Sequence, residues 1–139
     1  MKRFFTPMIA AAMLATAPMA AQAAEEKVVY HVNDAAVARA AMNNVNNHLN
    51  ASPDAKIVIV THGKGIDFLL NDAKDDKGDY MAQIAGLSAK GVKFNVCANT
   101  LKARKLDNSA VVQEATVVPS GVAEVAKLQA QEGYVYLKP

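Results

Sequence analysis

Val92-Lys93-Phe94-Asn95-Val96-Cys97-Ala98-Asn99-Thr100-Leu101 is the stretch on which the fold turns. Val92, Phe94 and Val96 alternate with Lys93, Asn95 and Cys97, which is the period of a strand with one apolar and one polar side. The strand ends at the only cysteine of the chain, and a short helix is expected from there to about Lys105. A thiol at a helix start faces unpaired backbone N–H groups and the positive end of the helix dipole. Such surroundings lower a cysteine pKa from ~8.5 to somewhere in about 3.5–7.5. A free cysteine is also among the most buried residue types, so an inert structural thiol fits the same pattern.

The strand-then-helix unit recurs on both sides of this stretch. Lys27 to Val32 is β-rich and nearly apolar until His31, as suits a strand inside a parallel sheet. Asn33-Asp34 offers an N-cap to a helix over 35–49, with Ala38, Met42, Val45 and Leu49 on one face. The other face carries Asn43, Asn44, Asn46, Asn47 and Asn50; these amides are either a solvated face or the lining of a subunit contact or pocket. After the turn Ser52-Pro53-Asp54, Ile57 to Val60 is the most apolar strand, and Thr61-His62-Gly63-Lys64-Gly65 follows as a loop. A helical turn is expected at 66–70 and a charged, solvated loop at 71–78. That loop lacks the D-x-[DN]-x-[DN]-G spacing of a calcium-binding EF-hand.

Asp79 can cap a helix over 80–90, with Tyr80, Ile84 and Leu87 on one face and Gly91 at its C′ position. Beyond the opening stretch, 106–114 is irregular and 115–118 is a fourth strand. A helix after Gly121 with Val122, Val125, Ala126 and Gln129 along one side ends at Gly133, and 134–137 is a fifth strand. Apolar strands alternating with helices predict an α/β, three-layer sandwich: a five-stranded, mainly parallel sheet with helices on both faces. A flavodoxin-like order, 2-1-3-4-5, is the expected arrangement.

Residues 1–23 are read differently. Lys2 and Arg3 precede an alanine-rich apolar run, and Ala21-Gln22-Ala23 has the small-x-small pattern of a cleavage site. These are the three parts of a secretory signal peptide, with the cut expected near Ala23 and a single domain over 24–139. A membrane anchor is the alternative, though Pro7 and Pro18 interrupt the run. The chain has 15 basic and 13 acidic residues. Removing Lys2 and Arg3 leaves 13 of each, a neutral domain without a general pull on nucleic acid. Export would place the thiol in an oxidising compartment, periplasmic or extracellular, where a single cysteine has no internal disulfide partner. No membrane association is expected once the leader is gone.

Ligands of open parallel sheets sit beyond the carboxyl ends of the strands. The strand ends there gather His31 and Asn33; Thr61, His62 and Gly63; Cys97, Asn99 and Thr100; and Ser120 with Gly121. Cys97 is the candidate nucleophile. His31 and His62 are candidates to hold it as a thiolate or to donate to a bound anion, and each could equally be a satisfied strand-end histidine. Asn33, Thr61, Gly63, Asn99, Thr100, Ser120 and Gly121 are candidate ligand-binding residues. The three ligating types could form a metal site, but with no C-x-x-C or H-x-x-x-H spacing no metal is assigned. No cofactor is expected either, since neither G-x-G-x-x-G nor a P-loop follows the first strand. G-x-S-x-G is absent, and Ser120 has no evident base. His48, in the asparagine-rich helix, is expected on the surface.

The chain resembles the DsrE/DsrF-like family of small sulfur-relay proteins. The likeness runs through Val29-Tyr30-His31-Val32-Asn33-Asp34, Val60-Thr61-His62-Gly63, Asp67-Phe68-Leu69-Leu70 and 91–101. It continues in Val118-Pro119-Ser120-Gly121-Val122, Leu128-Gln129 and 133–139. It implies a flavodoxin-like fold and homo- or hetero-oligomers, often trimers or hexamers. It also implies a cysteine after the third strand that accepts sulfur as a persulfide and passes it to a partner protein; Cys97 stands at that position. The exported members of the family are the nearest in kind. Two functions are therefore expected of the residues: a sulfur carrier acting through Cys97, or a non-catalytic oligomeric module holding a small anion or metal at the strand ends.

Overall fold

The computed structural model describes residues 25–139; the expected leader at 1–23 lies outside the described residues. Five strands form one parallel sheet: β1 (Lys27–Asp34), β2 (Lys56–Lys64), β5 (Lys93–Cys97), β6 (Ala115–Val118) and β7 (Val135–Leu137). The helices α1 (Ala38–Ala51), α2 (Met81–Ala89), α3 (Ala98–Ala103) and α4 (Gly121–Glu132) join them. The α/β class and the parallel five-stranded sheet agree with the alternation read from the sequence.

The strand order is β6-β5-β2-β1-β7. Counting only the five large strands, this is 4-3-2-1-5 and not the expected 2-1-3-4-5. The handedness rule explains the layers. From β1 to β6 each crossover steps to the next strand in the same direction, and right-handed crossovers in one direction place their helices on one face. The last crossover jumps back past β1, so α4 falls on the opposite face. The larger core accordingly packs Val28, Tyr30, Val32, Ile57, Ile59, Phe94 and Val96 of the sheet against Met42, Val45, Ile84 and Leu87. The smaller packs Val29, Val58 and Val60 against Val125 and Leu128 of α4.

Helix α1 buries Ala38, Met42, Val45 and Leu49 as its spacing predicts, together with Ala41, and Asp34 accepts a hydrogen bond from the Ala36 N–H at 3.0 Å. Its asparagines take neither of the two expected roles alone. Asn43 accepts from Gln83 at 2.8 Å and Asn46 from Lys90 at 2.6 Å, tying α1 to α2. His48 is not a surface residue in isolation: its ring lies 3.0 Å from the Tyr30 hydroxyl and 2.7 Å from Glu26, joining α1 to β1. In α4 the buried stripe is Gly121, Val125 and Leu128, whereas Val122 is 58 % exposed and Ala126 and Gln129 face solvent. A lone helix on its face of the sheet needs only a narrow contact line.

The charged segment is also more ordered than a solvated loop. It forms a small antiparallel hairpin from β3 (Lys74–Asp75) and β4 (Gly78–Asp79). Arg39 of α1 holds it, with Nε and Nη2 donating to Asp75 at 2.9 and 3.0 Å, Nη2 donating to the Gly78 and Asp79 carbonyls, and the guanidinium 4.2 Å from the Tyr80 ring. At the end of β2, a Cβ on Gly65 would lie 2.0 Å from the Val32 carbonyl oxygen, so β2 passes β1 closely only because this residue is glycine.

Candidate functional site

Side-chain alternation assigns the strand-end residues to faces before any contact is considered. Val29, Val58 and Val60 point to the α4 face. His31 and His62 lie two residues beyond Val29 and Val60 on β1 and β2 and share that face, and Asn95 and Cys97 share it because Phe94 and Val96, their neighbours on β5, pack in the opposite core. The register sets them side by side: Thr61 pairs with Val96, so the next residues, His62 and Cys97, are lateral neighbours. His31 is opposite Val60, one strand further out. Gly121, the first residue of α4, closes over the row. A Cβ there would lie 2.9 Å from the Thr61 carbonyl oxygen, 3.1 Å from the His62 Cβ and 3.2 Å from the Cys97 Cβ. Glycine is thus what lets the start of α4 reach the thiol.

Cys97 is 5 % exposed and unpaired. Burial works to raise its pKa, yet the net shift is downward. The opposing groups are the Gly121 N–H, the Thr100 hydroxyl and N–H, and the Asn99 N–H, all of which favour the thiolate. Two helix starts, α3 from its own chain direction and α4 from above, therefore converge on one sulfur. The Thr100 hydroxyl oxygen in turn accepts the Gly63 N–H at 3.0 Å. Gly63 has φ +58, a left-handed conformation that suits glycine and turns its N–H towards α3.

The expected site residues thus fall into groups. Cys97, Asn99, Thr100 and Gly121 surround the sulfur, and Gly63 braces Thr100. Between the end of β2 and α3 a cavity of about 620 Å³ is bounded by Gly63, Lys64, Asp67, Asn99, Thr100 and Arg104. Thr61 belongs elsewhere: it is fully buried on the opposite face, and its hydroxyl donates to the Asn95 carbonyl at 3.1 Å. Ser120 is the N-cap of α4, accepting the Ala123 N–H at 3.4 Å. Asn33 is exposed at the end of β1.

His31 and His62 meet each other. Their Nε2 atoms are 2.6 Å apart and the rings stack with centroids at 4.8 Å. Tyr136 of β7 joins them, its hydroxyl 2.8 Å from His31 Nδ1. Sequence reasoning missed Tyr136. Alternation within 134–137 indicates a face for it, but only the pairing of β7 with β1, Val29 opposite Tyr136, brings it to His31. The order 2-1-3-4-5 would have kept the fifth strand away from the first. Among the described residues no three His, Cys, Asp or Glu side chains are grouped to hold a metal ion, and no helix is long and apolar enough to cross a membrane.

These features define a class: an α/β domain whose parallel sheet presents one thiol, cradled by backbone N–H groups, at its carboxyl edge. The DsrE/DsrF-like family model matches residues 9–139, and the chain belongs to that family. Among solved structures it is similar to MTH1491 of Methanobacterium thermoautotrophicum, a protein of unknown function. The identity is 27 % and the TM-score 0.75, covering 83 % of this chain and all of that one. It is also similar to the ychN protein of E. coli, at 13 % identity and TM-score 0.69 over 82 % of this chain and 99 % of that one, a likeness of fold alone. The search of curated proteins found no match to it.

Proposed function

We propose that the protein is a sulfur carrier in which Cys97 accepts sulfane sulfur and hands it on. The observation that carries this reading is the cradle of Gly121, Thr100 and Asn99 donors, which holds the thiol below its ordinary pKa despite its burial. Thiolate, not thiol, attacks sulfur. In the loading step the Cys97 sulfur attacks the outer sulfur of a persulfide or thiosulfate. One S–S bond forms, one breaks, and the electron pair leaves with the donor's thiolate or with sulfite. The terminal sulfur of the resulting Cys97 persulfide is then taken by an acceptor thiolate, which regenerates Cys97. The same N–H donors stabilise the anion in both forms. The donor and acceptor are partners of the carrier, and the carrier is a homo-oligomer exported to the periplasm; the result expected of export is a homogeneous N-terminus near residue 24 on protein recovered from the periplasm, and retention of residues 1–23 there would reject it.

Intact-mass measurement tests the carrier. After incubation with polysulfide or thiosulfate, wild type is expected to gain the mass of sulfur and Cys97→Ser to gain none. An equal gain on both, or no gain on either, rejects the reading.

The 5 % exposure of Cys97 favours a second reading, a binding module that uses the strand ends for a small anion. The two separate on the thiol itself: a Cys97 that reacts with a thiol reagent only after unfolding belongs to the binding module.

A further inference from the structure

The His31–His62–Tyr136 cluster is a second titratable feature of the strand ends, and the donors around Cys97 make no use of it. Two ring nitrogens 2.6 Å apart have room for one proton between them. Two imidazolium rings would set two N–H groups head to head across that gap. Tyr136 is fixed opposite Val29 by strand pairing, and its hydroxyl reaches the remaining nitrogen of His31 at 2.8 Å. On the other side, His62 is the lateral neighbour of Cys97, and Gly121 packs against the Cβ atoms of both.

We propose that His31 and His62 act together as the proton acceptor for the Cys97 thiol, and that Tyr136 is the positioning residue that sets the direction of the pair. The inference rests on Cys97 being the working thiol. Tyr136 oxygen accepts the N–H of His31 Nδ1, which leaves His31 Nε2 as an acceptor and requires His62 Nε2 to be the donor. Nδ1 of His62 is then the open base. In the step, the S–H bond of Cys97 breaks and an N–H bond forms on His62; sulfur keeps the electron pair, and no other reactant is consumed. The positive charge settles on the ring beside the thiolate and is shared across the short contact.

The other charged groups around the cluster fit this polarity. Burial, the charge of His62 and that of Lys138 after β7 all hold His31 below its ordinary pKa, which favours His31 as the neutral partner. Lys64 follows His62 on β2, and Asp34 ends β1, where it accepts from the Ala36 N–H. Glu124 of α4 is engaged by the Asn95 amide at 3.2 Å, and Arg104 beyond α3 is bound to Asp67.

The pH profile of Cys97 alkylation by iodoacetamide, measured on the folded full chain, tests this. Wild type is expected to react well below the pH of a free thiol. Tyr136→Phe keeps the ring but loses the acceptor; its rate near pH 6 should fall about three- to tenfold, with an unchanged plateau at high pH. His62→Gln should fall further. Nitrogen-15 spectra should show the His31 proton on Nδ1 in wild type and its redistribution in Tyr136→Phe. A merely structural Tyr136 would lower the melting temperature and leave the profile in place. Superimposable profiles for wild type and Tyr136→Phe overturn the proposal, as does an unchanged His31 tautomer. Should His62→Gln fail to fold, the wild-type spectra still decide: the Cys97 Cβ shift must move with the histidine midpoint. Superimposable profiles with sulfur uptake intact reject the histidine pair alone. Shifted profiles without sulfur uptake reject the carrier alone, and a Cys97 that reacts only on unfolding rejects both.

Discussion

Gly121 does at the residue scale what the candidate nucleophile cannot do for itself. A thiol this buried would be raised in pKa by desolvation alone, and the largest single group opposing that is the Gly121 N–H. Its approach depends on a missing side chain, since a Cβ would press on the Thr61 carbonyl oxygen at 2.9 Å. Gly121→Ala should therefore lift the start of α4 off the strand ends. A hydrogen bond to a charged group contributes about 1.5–3 kcal/mol. Losing most of one should raise the Cys97 pKa by about one unit and slow alkylation at neutral pH about tenfold. A titration of thiolate absorbance checks this directly, and an unchanged midpoint would show that the α3 donors suffice. Cys97 was visible in the sequence as a lone thiol at a strand end. Gly121 was visible as a turn residue and a candidate for ligand binding at the strand ends, but not as a donor to the thiol, because that is a matter of which strands it lands upon.

At the scale of elements, the Arg39 clamp on the β3–β4 hairpin is the clearest case of tertiary structure acting on a segment that looks unstructured. The Arg39 guanidinium and the Lys77 N–H hold the Asp75 carboxyl at about 2, against an ordinary 3.8. A depressed carboxyl contributes stability that is present above its unfolded value and is lost as pH falls through its folded value. The hairpin should accordingly loosen between about pH 4 and pH 2. Arg39→Ala should loosen it at neutral pH and remove that acid dependence, while the α1 amides stay protected. Hydrogen exchange by residue is the measurement; equal protection of residues 74–79 in variant and wild type would contradict the clamp. Heptad-like spacing predicted the buried faces of α1 and α2, since those faces are set by a local period. The face of α4 was misplaced because a narrow contact leaves apolar residues such as Val122 in solvent, and apolar residues in solvent are common.

At the scale of the whole molecule, the sheet closes on one side with a three-residue strand. Val135, Tyr136 and Leu137 of β7 are 62, 37 and 39 % exposed, an apolar edge of the kind that proteins pair or cover. The expected homo-oligomer would place a second copy over this edge. Val135→Lys should then lower the mass measured by light scattering towards that of the monomer without changing the circular dichroism; an unchanged mass would put the interface elsewhere. β7 also supplies Tyr136, so the edge and the strand-end site are physically one region.

The sequence by itself determined the α/β class, the buried faces of the first two helices and the position of Cys97 where a strand meets a helix. Each of these depends on a period or a composition that neighbouring residues carry. Only the tertiary structure decided the strand order, and with it the row Tyr136, His31, His62, Cys97 and the closure by Gly121. Strand order follows from which edges bury the most surface together across the whole chain, and no local window contains that sum. The opening strand therefore announced a thiol, while its neighbours were chosen by a crossover that runs backwards past β1.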